Sequence, residues 1–173
     1  MPIDLVFAES SLGGITLPAL AFSTDASAAR PLFLVKKERL ADWLAAQDET
    51  MRDWVAAAGF KARVGEVIPL PGKEGLSGAV GGLGSGKDRA RGRFLAAGLR
   101  GKLPEGVWRL ECDLEGDELA EAALGWLLAG YRFDRFVSNA KPLAMLLAPA
   151  GVDAAMLERI ASGETLVRDL INA

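Results

Sequence analysis

The chain has 173 residues, a formal net charge of −3 and no histidine. That length fits one domain with a real core, and the acidic balance offers no electrostatic footprint for nucleic acid or an anionic membrane. The missing histidine removes Ser-His and Cys-His nucleophile activation and every His-ligated metal site.

In chain order, residues 3–7 read as a short strand, with no basic stretch ahead of it as a secretory leader would carry. Residues 10–28, rich in Gly, Ser and Ala, read as a loop with room for a second strand at 17–22. An unbroken apolar run at 32–35 reads as a buried strand. Leu40, Trp43, Leu44, Met51, Trp54, Val55 and Ala58 recur at helical spacing. They predict one amphipathic helix over about 38–59, ended by Gly59. Residues 62–70 alternate like a strand until Pro69 and Pro71 break it.

Residues 76–80 form a strand that runs into a glycine-rich turn. A helix over about 87–99 follows, with Phe94, Leu95 and Leu99 inward. Gly92 and Gly98 within it cost roughly 1 kcal/mol each. Residues 107–111 are a strand, and Cys112 at its end reads as a buried structural thiol. A lone cysteine suits a reducing, cytoplasmic compartment. Asp113, Glu115, Asp117 and Glu118 sit ahead of a helix that is apolar nearly all round, where they complement its dipole. Residues 143–147 are the last buried strand. The final helix starts near Asp153, an N-cap residue, and sets Met156, Ile160, Val167, Leu170 and Ile171 on one side. The tryptophans, Trp43, Trp54, Trp108 and Trp126, all fall on apolar faces and read as core. No apolar run reaches the roughly 18 residues that span a bilayer. Strands alternating with helices predict an α/β fold: a mixed, mostly parallel sheet flanked by helices on both faces, in a single domain over 1–173.

Three constellations bear on chemistry. The turn from Gly81 to Lys87 matches G-x-x-x-x-G-K between a strand and a helix, the setting of a phosphate-binding loop. Position 88 is Asp where that loop needs Ser or Thr for Mg²⁺, which favours a turn with Ser85 or Asp88 capping the next helix. The carboxylates Glu111, Asp113, Glu115, Asp117 and Glu118 match no calcium-loop spacing. The run Tyr131, Arg132, Phe133, Asp134, Arg135, Phe136 interleaves charges and aromatics, as nucleic-acid stacking platforms do. It is short, and the arginines suit the negative end of the helix before it.

The turn VGGLGSGK, the helix end GYRFDRF, the strand LAMLLAP and the closing element VRDLIN, in this order, resemble the N-terminal domain of the leucyl (cytosol) aminopeptidase family. The resemblance is clearest over about 64–173. It implies a macro-domain-like fold and a linking helix at about 153–173. It also implies a parent enzyme that removes N-terminal amino acids from peptides with two divalent metals, Mn or Zn. Those metals belong to a C-terminal catalytic domain marked by an N-T-D-A-E-G-R-L motif, which does not occur here. The resemblance therefore carries no catalytic, cofactor or metal residue onto this chain, which is expected to be inactive alone. Implied partners are the chain's own catalytic domain and the copies of a homo-hexamer; some members of the family also bind DNA, but the acidic balance here argues against nucleic acid, and the lack of a long apolar run against a membrane. Tyr131, Arg132, Phe133, Asp134 and Phe136, with Leu166, Val167, Leu170 and Ile171, are expected to form an exposed interdomain or assembly surface. The alternative is a macro-like module that binds ADP-ribose or a nucleotide through the turn from Gly81 to Lys87.

Overall fold

A computed structural model describes residues 20–73, 75–131 and 144–172. The expected strand at 3–7 lies outside them. The strands are β1 (Arg30–Val35), β2 (Val67–Gly72), β3 (Gly75–Gly82), β4 (Gly106–Glu111) and β5 (Ala144–Leu146). They form one sheet in the order β2-β3-β1-β4-β5. β3, β1, β4 and β5 run parallel and β2 is antiparallel to β3, so the sheet is mixed and mostly parallel.

β1 lies at the centre, paired on both edges, and its residues alternate between two cores. Leu32 and Leu34 enter the larger one, Phe33 and Val35 the smaller. Buried parallel strands need apolar side chains on both faces, hence the unbroken apolar run. The smaller core is covered by α1 (Leu40–Ala45) and α2 (Glu49–Ala57), where Val55 packs with Phe60, Leu70 and Val80. On the other face stand α3 (Gly86–Arg91), α4 (Ala97–Arg100), α5 (Gly116–Leu128) and α6 (Ala154–Asn172). Leu99, Trp126 and Leu157 from three of these helices join Trp108 and Leu146 of the sheet in the larger core. Residues 20–23 close that side: Leu20 and Phe22 are buried, and the Ser23 N–H donates to Leu146 O at 2.7 Å.

Five local expectations need correction. The helix expected over 38–59 is two, because the Asp48 carboxylate accepts the Met51 N–H at 2.8 Å and starts α2 afresh. Pro69 and Pro71 do not end their strand. β2 is an edge strand with a register shift between Leu70 and Pro71, where a missing N–H is tolerated. The helix expected over 87–99 breaks after Arg91, since Gly92 is extended and Phe94 has φ +54°. Gly92 thus carries no mid-helix cost. Trp54 is not core: it is 45% exposed and its indole N–H donates to Pro69 O at 2.9 Å. Cys112 is only half-buried, and that burial pushes its thiol pKa up.

Candidate functional site

The glycine turn is closed from within. Gly82, Leu83 and Gly84 donate their N–H groups to Glu66 O, Val35 O and Ala62 O at 2.8, 3.0 and 2.9 Å. Ser85 N–H donates to Asp88 Oδ2 at 2.8 Å and Asp88 N–H to Ser85 Oγ at 3.4 Å, a reciprocal capping box. Gly86 N–H donates to Glu38 Oε1 at 2.6 Å. Those bonds hold both carboxylates below the usual range: Glu38 through the Gly86 N–H first, Asp88 through the Ser85 hydroxyl first. The glycines serve packing. A Cβ on Gly82 would lie 2.2 Å from Arg63 O, and Gly84 has φ +72°. A phosphate would meet occupied amides and two carboxylates, so the geometry gives the nucleotide reading of this turn no support.

The carboxylate cluster disperses into ion pairs. Lys36 Nζ lies 3.5 Å from Asp113 and 3.3 Å from Glu118, and Glu111 pairs with Arg109 at 2.6 Å. Among the described residues no group of His, Cys, Asp and Glu converges to hold a metal ion. No described helix is long and apolar enough to cross a membrane.

α6 carries two apolar stripes. Leu157, Ala161 and Thr165 are buried against the domain, and the Thr165 hydroxyl is satisfied by Ala161 O at 3.1 Å. Roughly 130° around the helix, Met156, Ile160, Val167, Leu170 and Ile171 form a second stripe exposed by 50, 38, 51, 71 and 78%. Leu166 beside it is 62% exposed. Gly163 falls within this stripe, and a Cβ there would meet nothing within 4 Å. A mid-helix glycine costs about 1 kcal/mol, and no contact with the described residues explains this one. Tyr131, just past α5, reaches the same helix, with the Arg168 guanidinium 5.4 Å from its ring centre. Arg132, Phe133, Asp134 and Phe136 lie outside the described residues.

One feature escaped sequence reasoning. A cavity of about 330 Å³ opens between the chain after α3 and the first turns of α5, beside the C-terminal ends of the central strands. The break at Phe94 shapes it, and a positive φ on a phenylalanine leaves no mark in a sequence.

Comparison with known proteins settles the family. A family model described as M17 aminopeptidase, N-terminal domain, matches residues 30–149. The chain belongs to the M17 aminopeptidase family. A probable cytosol aminopeptidase of Methylobacterium radiotolerans is 33% identical over 143 residues, covering 68% of this chain and 28% of that protein. The crystal structure of a cytosol aminopeptidase from Coxiella burnetii matches with a TM-score of 0.77 at 26% identity, over 89% of this chain and 33% of that one. A tomato leucine aminopeptidase mutant shares the fold, with a TM-score of 0.52 at 17% identity, over 96% of this chain and 40% of that one. The chain thus spans about a third of the length of its M17 relatives.

Proposed function

We propose that this chain is the non-catalytic assembly or regulatory domain of a two-metal leucyl aminopeptidase, and that its full-length form removes N-terminal amino acids from peptides. Membership in the M17 N-terminal family supports the reading. M17 relatives are longer by a part this chain does not match, which we assign the metals, Mn or Zn, and the chemistry. The observation that carries the reading is the outer stripe of α6. An apolar helix face with an unexplained glycine suits close packing against another helix or sheet. We assign that face to the catalytic part of the same polypeptide, with hexamer assembly following from it, in the cytoplasm.

Two measurements test this. The 173-residue chain, supplied with Mn²⁺ or Zn²⁺ and a leucyl anilide, is expected to release no product; turnover above the buffer rate would overturn the non-catalytic assignment. Hydrogen exchange of α6 is then compared between the chain alone and a fusion to the catalytic portion of the Methylobacterium relative. Slower exchange at 160–171 in the fusion is expected, and equal exchange would remove the docking assignment.

A further inference from the structure

The cavity beside α5 is a concave feature that the M17 role leaves unused. It lies past the carboxyl ends of β3 and β4, where open α/β sheets place ligands. Its volume, about 330 Å³, sits at the small end of ligand pockets. Leu83, Leu95 and Leu114 provide an aliphatic floor, while Arg93, Asp117 and Glu118 stand at the rim.

One wall is held in strain. Phe94 has φ +54°, a left-handed region that non-glycine residues occupy only under strain. Glu121 enforces it: one carboxylate oxygen accepts the Phe94 N–H at 3.0 Å, and the other pairs with Arg93 Nε at 2.5 Å. Gly125 admits it, since a Cβ there would stand 2.9 Å from Phe94 Cβ. Arg93 gives its Nε to Glu121 and sets its guanidinium carbon 5.8 Å from the Phe94 ring centre. Among the described residues its terminal nitrogens donate no hydrogen bond, and the Asp117 carboxylate has no partner.

We propose that this cavity binds a small apolar amino acid as its zwitterion. The α-carboxylate takes the free terminal nitrogens of Arg93, whose planar fork suits a carboxylate. The ammonium takes Asp117, with Glu118 beside it, and the side chain lies on the leucine floor. A single charge of either sign would leave one rim group unused, and a polar side chain would leave the leucine floor exposed to water. The site lies apart from the α6 face. Failure of the exchange comparison would leave it standing, and its own failure would leave the domain role intact.

The test is an amide-shift titration of the ¹⁵N-labelled 173-residue chain with L-leucine. Saturable shifts confined to residues 92–96 and 114–122 are expected. Asp117→Asn and Arg93→Gln should each weaken binding about three- to fivefold, the scale of one exposed charge pair. N-acetyl-leucine, which lacks the ammonium, and leucinamide, which lacks the carboxylate, should weaken similarly. Glycine, which cannot reach the floor, should lose about tenfold or more. No saturable shift with leucine would overturn the proposal. So would blocked analogues that bind as well as leucine. Both substituted side chains are exposed at the rim, so the fold should survive; the analogue series on the unaltered chain decides independently of either variant.

Discussion

Arg100 is 3% exposed, yet its charge is not stranded. Its Nη1 donates to Trp126 O at 2.8 Å and to Leu127 O at 3.4 Å, the carbonyls at the negative end of α5. Gly130 makes the room, because a Cβ there would lie 2.2 Å from that nitrogen. Arg100→Met should therefore cost about 2–3 kcal/mol, the scale of hydrogen bonds to a charged group, read as a fall in urea midpoint at unchanged slope. Gly130→Ala should cost about 1–3 kcal/mol by crowding the guanidinium. The double substitution should cost less than the sum, since the methyl group finds space once the guanidinium is gone. Strict additivity would show that the two residues do not share one site.

At the scale of elements, the turn before α3 is a pH-sensitive joint. Glu38 and Asp88 have folded pKa values below their ordinary ones, through the Gly86 N–H and the Ser85 hydroxyl respectively. A carboxylate depressed on folding binds fewer protons in the folded chain than in the unfolded one. Its stabilisation is thus complete above the unfolded value and disappears as pH falls through the folded one. Stability should decline through the acid carboxylate range, and Glu38→Gln with Asp88→Asn should flatten that decline while lowering stability at neutral pH. An acid limb unchanged by both substitutions would show that the turn contributes nothing to it. Much of this level was legible in advance. The apolar run of β1 and the Asp153 N-cap, which accepts the Met156 N–H at 2.9 Å, are local signals and appear where expected. The breaks at Asp48 and Phe94 were not legible, because periodicity continues across them while backbone direction changes. In each case one side-chain-to-backbone bond decides the outcome, and for Phe94 its carboxylate comes from Glu121, 27 residues away.

For the whole molecule, buried and exposed leucines sort the core from the docking face. Leu32→Ala, in the central strand with no exposure, should cost about 2–5 kcal/mol by leaving a cavity. Val167→Ser, Leu170→Ser and Ile171→Ser should each stay within about 0.5 kcal/mol in this chain, and together should reduce any self-association seen by sedimentation. A large loss of stability would mean that the outer stripe of α6 is already packed. Composition, apolar patterning and the ordered VGGLGSGK, GYRFDRF and VRDLIN elements by themselves determined the fold class and the family, because strand and helix periods are local and the motifs are specific. Only the tertiary structure decided that the glycine turn is sealed by Glu38 and Asp88. Only it separated the two stripes of α6 and opened the cavity under Arg93 and Asp117. Each of these depends on which distant group arrives at a given backbone amide or helix face, and contacts of that kind exist only once the chain has packed.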